Sequence, residues 1–332
     1  MKNVWIAIAV LCAVLCGFLG YKIASRKPVY VTQAGPRPKA ADVGDIIDGM
    51  DKVDPKYMIA KEAGRYSTGL KEARGVAVGP EDRIYATGDK ALVILSSDGK
   101  QISKMSFEKD VFSVGVGSDG TAYVSLMDHI EVYDSTGARK EVWEKPGPKA
   151  WITSIAVTEN EVYAADFGDK SVIRFDKTGK VLGRLGEPGP QDGVGKYEVP
   201  SPYFDVAVDP SGRPWVAHVG KQRLESYKSD GSLESTWGKQ GNNLQGFAGC
   251  CNPSHISIRK DGSFVTSEKG LVRVKLHKAD GELVGVVAAA KEFEKGIHGL
   301  DLAVDSKDRI LVLDPGTSSV RVYVLNGAGS NP

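Results

Sequence analysis

From Phe204 to Gly231 the chain reads FDVAVDPSGRPWVAHVGKQRLESYKSDG. Apolar residues alternate through Asp205 to Val208, and Asp209-Pro210-Ser211-Gly212 then interrupts the run. Pro214 to Val219 and Arg223 to Tyr227 are two further runs of strand length, and Ser229-Asp230-Gly231 closes the unit. Short alternating runs bounded by Pro, Gly and Asp predict hairpins. The unit recurs as GVAVGPEDRIYATG from Gly75, SVGVGSDGTAYVS from Ser113, SIAVTENEVYAAD from Ser154, HISIRKDGSFVTS from His255 and GLDLAVDSKDRILVLD from Gly299. The second apolar position of each copy is Val76, Val114, Ile155, Val206, Ile256 and Leu302, at intervals of 38 to 51 residues. A period of about 45 residues fits the four-stranded blade of a β-propeller. One such unit cannot bury its apolar face alone, so neighbouring units must stack.

Three strands per copy are evident. The fourth is expected in the variable segments Ser103–Phe107, Lys140–Trp143, Val181–Leu185, Ser232–Trp237 and Glu282–Ala288. The sixth copy ends at Leu325 with too little chain left for an outer strand, and the run Tyr57–Ala60 is expected to supply it. A ring closed by both ends of the chain leaves no sheet edge at the seam. The fold class is therefore all-β, a six-bladed β-propeller. Five blades plus a stray sheet is the rival count. Seven would need another copy between residues 176 and 205, where one strand is visible.

Ahead of the ring, Val4 to Tyr21 is an uncharged run, VWIAIAVLCAVLCGFLGY. It is just long enough to span a bilayer and longer than a usual signal-peptide core. Residues 1–27 are therefore expected to form an N-terminal transmembrane helix, with a cleaved signal peptide as the alternative. Leu15 before Cys16 and Leu11 before Cys12 argue against lipidation. Lys2 opposes Lys22, Arg26 and Lys27 across the run, so charge does not settle its orientation. Residues 28–52 read as a flexible linker broken by Pro28, Pro36 and Pro38, and 53–332 as the propeller. The expected location is a bacterial inner membrane, single-pass, with the propeller in the periplasm or outside the cell. The chain has 43 Lys and Arg against 42 Asp and Glu, which gives no reason to expect nucleic acid as a partner.

Asp98-Gly99, Asp119-Gly120, Asp230-Gly231, Asp261-Gly262 and Asp280-Gly281 recur with the blades, as do Thr136-Gly137 and Thr178-Gly179. Gly supplies positive φ there and Asp bonds to backbone two residues on, so these acids read as turn formers, not catalytic pairs. Two segments are longer and Gly-rich, Gly183–Val199 and Gly238–Gly249. Long loops on a rigid scaffold are where binding groups sit. In a propeller, the residues just before each inner strand share one face. That face is expected to collect Arg74, Trp151, Tyr203, Phe247 and Asn252 as ligand-binding residues. Cys250, Cys251, His255 and His298 are the expected metal or redox residues. Three readings of the adjacent cysteines stay open: a structural vicinal disulfide or packed thiols, a rigid disulfide knob that faces a ligand, and a redox or soft-metal site with His255. A divalent or soft metal ion is the one cofactor to which these residue types point, and its identity is unknown. No Gly-x-Ser-x-Gly elbow, HExxH, P-loop or haem-attachment motif is present.

The copies resemble NHL-repeat propellers. The resemblance rests on the AVDxxG-like turn, the strand that follows it and the xDxxG turn after the third strand, best seen in GVAVGPEDRIYATG, SIAVTENEVYAADFGDKSVIRFDKTG and LDLAVDSKDRILVLDPGTSSVRVY. The second and fifth copies depart from it, having Leu126 and Glu268 near the place of the Asp that follows the second strand. GFAGCCNPSHISI looks like a Cys-Cys-Asn-Pro segment of some uncharacterised bacterial propellers of this type. The resemblance implies a scaffold that binds a protein or cell-envelope component. The alternative is a metal-dependent or redox-linked enzyme or accessory at the channel mouth. In hydrolases of related architecture acidic and Asn side chains hold an ion at the channel, but no acidic ion set is matched here residue by residue.

Overall fold

The computed structural model describes residues 52–185 and 197–327. The expected transmembrane helix, the linker up to residue 51 and residues 186–196 of the first Gly-rich segment lie outside the described residues. Among the described residues, no helix is long and apolar enough to cross a membrane.

Those residues form six four-stranded antiparallel sheets. The inner strands are Ala73–Val78, Ser113–Val116, Ile152–Val157, Val206–Val208, His255–Ile258 and Leu302–Val304, blades one to six in order. Consecutive inner strands touch, and the sixth touches the first, so the ring closes. The outer strands of blades one to five are Gln101–Ser106, Arg139–Val142, Val181–Leu185, Leu233–Trp237 and Leu283–Ala289, within a few residues of their expected places.

The seam corrects one expectation. The strand that completes blade six is Ala60–Ser67, antiparallel to Ser319–Leu325 from Ala60↔Leu325 to Ser67↔Ser319. The expected run Tyr57–Ala60 contributes only its last residue. Pro55–Tyr57 instead makes a single 3-10 turn, with the Asp54 side chain accepting from Lys56 N, and Met58 bridges to Val286. Proline with its fixed φ favours the start of such a turn, which takes Tyr57 out of the strand. The closing strand shows little apolar alternation because it is the rim of its blade, mostly exposed or half-buried.

Burial runs from axis to rim. The second strands Ile84–Gly88, Pro214–His218, Phe264–Glu268 and Ile310–Asp314 are buried throughout, because neighbouring blades cover both their faces. Arg139–Val142 at the rim is exposed throughout. The apolar core is thus divided into interfaces between blades, such as Trp143 against Tyr123 and Phe175, and Trp215 and Trp237 against Phe264. The Asp-Gly turns hold these joints. Asp280 Oδ1 accepts from Glu282 N at 3.0 Å, and Gly281 has φ of 88° with Trp237 of the preceding blade so close that a Cβ would come within 2.5 Å of it. A side chain at 281 is therefore excluded both by conformation and by packing.

Candidate functional site

The inner edge of each sheet faces the axis, and there the amides of Val76, Val206, Ile256 and Leu302 bond to side chains rather than to a strand. The residue immediately before the periodic apolar position stands at this point in every copy: Gly75, Ser113, Ser154, Asp205, His255 and Asp301. Most of these residues, with the inner strands, line a central cavity of about 210 Å³. Blades one to three thus give small residues to the axis, and blades four to six give ionisable ones.

The ionisable residues converge. Asp205, His255 and Asp301 each offer one ligand atom, all within 4.8 Å of one another. His255 Nδ1 lies 3.2 Å from Asp301 Oδ1 and 3.7 Å from Asp205 Oδ2. It is buried and in hydrogen-bond alignment with neither. Backbone amides fix both carboxylates. Asp205 Oδ1 accepts from Val206 N at 2.9 Å, and its Oδ2 from Ile256 N of the next blade at 2.7 Å. Asp301 Oδ1 accepts from Leu302 N at 2.8 Å, and its Oδ2 from Val76 N of blade one at 2.7 Å. Each carboxylate therefore staples its blade to the next one and satisfies an amide that the sheet leaves open. Ser154 Oγ does the same to Val206 N at 3.3 Å.

Burial pushes the Asp205 carboxyl up to about 6, with His255 opposing and Asp301 adding to the shift. For His255, burial works against the imidazolium, but the attraction of Asp301 and Asp205 outweighs it and the pKa is raised. The trio can therefore hold a proton, or a cation in its place, near neutral pH.

Above it the channel opens into a mouth pocket of about 350 Å³ lined by Arg74, Phe112, Trp151, Thr153, Tyr203, His255 and His298, among others. Of the residues expected on this face, Arg74, Trp151, Tyr203, His255 and His298 line this one pocket. The Arg74 guanidinium lies 4.7 Å from the centre of the Phe112 ring and pairs with Glu72 at 2.8 Å and Asp110 at 3.3 Å. Trp151 stands edge-on to Phe112 and Phe167, with its Nε1 buried and unpartnered. Tyr203 stands edge-on to His255 at 6.0 Å and carries Lys269 Nζ on its ring at 4.3 Å. Beside exposed His298, Gly299 has φ of 69° and a Cβ there would come within 2.6 Å of Tyr203, so glycine lets the tyrosine stand against this wall.

The repeat itself aims the mouth residues. At the end of the second strand, Asp166 accepts from Trp151 N at 2.8 Å. His218 Nε2 accepts from Glu198 N at 3.0 Å, and Glu268 from Ala248 N at 2.7 Å. The departure of the fifth copy from the Asp pattern thus preserves the function of the position, which is to hold the loop entering its own blade's inner strand.

Two expected ligand-binding residues lie elsewhere. Phe247 is fully buried against Trp237 and His277, where it fills the joint between blades four and five. Asn252 is buried, donating to Ala248 O and Lys269 O and accepting from Lys269 N, so its amide is spent on the loop. The cysteines form no disulfide: their sulfurs are 3.2 Å apart, with Cys250 exposed and Cys251 buried. Neither joins a group of three metal-type ligands among the described residues. Burial and the Cys250 thiol push the Cys251 pKa up, which opposes thiolate formation. Asp205, Asp301 and Phe112 were not expected. Stacking the six copies in register exposes the two acids, since both stand one residue before the periodic apolar position.

Fold and site together define a six-bladed β-propeller with a charged trio on its axis beneath an aromatic mouth. No protein-family model matches the chain, and no curated protein matches it in sequence. Among solved structures it is similar to a streptogramin B lyase, with a TM-score of 0.55 and 11% identity over 81% of this chain and 99% of that one. A virginiamycin B lyase from Staphylococcus aureus aligns with a TM-score of 0.55 and 11% identity over 80% of this chain and 100% of the other. A protein of unknown function from Bacteroides thetaiotaomicron gives 0.58 and 15%, over 81% and 76%. At such identities the likeness concerns the fold.

Proposed function

We propose that the protein is a membrane-anchored, exported propeller of the NHL type that binds a protein segment or cell-envelope component at one mouth of its channel. The observation that carries this reading is the mouth pocket. Residues far apart in sequence, Arg74, Trp151, Tyr203 and His298, line one cavity of about 350 Å³ that combines aromatic walls with a guanidinium and an imidazole. Pockets of this size with apolar walls and a few polar groups are the usual form of a binding site. The ligand carries an apolar or flat group for Trp151, Phe112 and Tyr203, and an acceptor for Arg74. The uncharged run Val4 to Tyr21 supports an anchored, exported location, because such a run commonly precedes an exported domain.

The test uses the full-length chain in its own membrane. A photo-crosslinking phenylalanine analogue at position 298 should trap a defined partner that the same group at Ile102, exposed on the rim, does not. Trp151→Ala should abolish that adduct. Identical adducts from both positions would dismiss the mouth as the binding surface. A membrane-impermeant maleimide applied to spheroplasts should label exposed Cys250 and fail on Cys250→Ser. Labelling only after lysis would place the propeller inside the cell. A second reading, an enzyme, is favoured by one observation: His255 belongs to both the mouth pocket and the axial trio. The neighbouring structures called lyases show that such folds can carry catalysis.

A further inference from the structure

We propose that Asp205, His255 and Asp301 bind one divalent transition cation of the zinc class on the propeller axis, at the floor of the mouth pocket. The inference stands independently of what the mouth binds.

Three features carry it. The first is spacing. At zinc–ligand bonds of about 2.0–2.1 Å, tetrahedral ligand atoms lie about 3.4 Å apart. His255 Nδ1 stands 3.2 Å from Asp301 Oδ1 and 3.7 Å from Asp205 Oδ2, and the three ligand atoms lie within 4.8 Å. The second is the unspent imidazole nitrogen. His255 is 8% exposed, and its Nδ1 points among the carboxylates without an aligned hydrogen bond. Burying such an atom without an aligned hydrogen bond is costly, and coordination satisfies it. The third is the prior fixing of the acids. Four backbone amides, from Val206, Ile256, Leu302 and Val76, hold the two carboxylates in place with one bond to each oxygen. Each oxygen keeps a second lone pair, so the staples do not exhaust the ligands.

The donor set chooses the ion. Calcium takes six to eight oxygen ligands, which this axis does not offer, since Gly75, Ser113 and Ser154 complete the ring. One imidazole with two carboxylates suits zinc, and also manganese or cobalt. Soft ions such as Cu(I) prefer thiolates, and the cysteines lie outside the cluster. Three protein ligands leave a position open, in the manner of a reactive site, and His255 borders the pocket through which a water or ligand group would arrive.

The experiment uses the untagged full-length chain in detergent, stripped with chelator. Zinc is titrated by calorimetry and counted by mass spectrometry after gel filtration, and cobalt is added as a spectroscopic probe. One zinc per chain is expected. The cobalt spectrum should show d–d bands without thiolate-to-metal charge transfer. His255→Ala and Asp301→Asn should each weaken zinc binding at least tenfold. The double variant Cys250→Ser/Cys251→Ser should bind as the parent does. Circular dichroism melts establish that the variants fold, and the cobalt spectrum of the unaltered chain decides the ligand type even if they do not. No stoichiometric metal would overturn the proposal and leave His255 as an imidazolium between two carboxylates. Thiolate bands, or zinc retained by His255→Ala and lost with the cysteines, would overturn it equally.

Discussion

The two halves of the disk use the same repeat in different ways. Blades one to three place Gly75, Ser113 and Ser154 on the axis and, among the described residues, bury few charged side chains, chiefly Asp82, Glu131 and Asp166. Blades four to six place Asp205, His255 and Asp301 there. They also bury Glu225, Glu268, Arg273, Lys275, Asp305, Asp314 and Arg321. Buried charges are tolerated only when paired and hydrogen-bonded. Here they are: Glu268 pairs with Lys275 at 2.8 Å and Arg273 at 3.0 Å, and Arg321 pairs with Glu62 at 2.6 Å across the seam. Much of this apparatus secures loops on the mouth side, as where Lys275 donates to Leu244 O and Gly246 O. The lesson is that blades one to three contribute to the site only at the mouth, through Arg74, Phe112, Trp151 and Thr153, whereas blades four to six carry the axial trio together with the ion pairs that fix it.

The largest test of that contrast compares one repeat position in both halves. Asp166 and Glu268 each cap the loop entering their own blade's inner strand, but only Glu268 faces buried cations. Glu268→Gln should cost about 4 kcal/mol, because it strands Lys275 and Arg273 in a fully buried site. Asp166→Asn should cost about 1 kcal/mol, the scale of a weakened hydrogen bond. Denaturant melts of the two variants measure both. Equal losses would erase the distinction between the halves.

Acid provides the next contrast. Burial alone would raise Glu225, but hydrogen bonds from His218, Tyr227 and Arg223 hold its pKa at about 2. A carboxylate with a depressed folded pKa stabilises the fold fully above its unfolded value and loses that contribution as pH falls towards the folded one. The advantage of the parent over Glu225→Gln should therefore be constant above about pH 5 and shrink by on the order of 3 kcal/mol by pH 2. Urea melts across this range check it. A gap that does not change with pH would mean that Glu225 is not held as an anion.

What could be read from the sequence follows from what is local. Each Asp-Gly turn and alternating run is specified within a few residues, so six blades and their outer strands were legible one copy at a time. The closing strand Ala60–Ser67 was not. It lies at the rim, half of it polar and exposed, and its identity depends on Ser319–Leu325 at the other end of the chain. Arg74, Trp151, Tyr203, His255 and His298 were legible as one face because strand order alone places them there. Phe247 and Asn252 sit in the same stretch of sequence, yet a buried joint and a loop clamp claim their side chains. Asp205 and Asp301 were hidden because each resembles one more turn acid until all six copies are aligned on the axis.

The smallest effect tests the axis itself. Asp301 and Ser154 each bond to a blade-joining amide, Val76 N at 2.7 Å and Val206 N at 3.3 Å. Bonds to a charged acceptor are worth more than neutral ones, so in chelator-treated protein Asp301→Ala should cost about 2 kcal/mol and Ser154→Ala about 1 kcal/mol or less. The gap stays narrow because removing Asp301 also relieves its repulsion of Asp205, one of the influences that raise the Asp205 pKa. Zinc should widen it. A cation that binds the folded state alone stabilises the parent by mass action, about 2.7 kcal/mol at a hundredfold excess over its dissociation constant. That gain should fall to about 1.4 kcal/mol or less in Asp301→Ala, where affinity drops at least tenfold, and survive in Ser154→Ala, which leaves all three ligands in place. Thermal melts of the three proteins with and without zinc separate the two roles of the carboxylate. A gap that zinc leaves unchanged would reduce Asp301 to a staple, and the two halves of the ring would then differ in strength but not in chemistry.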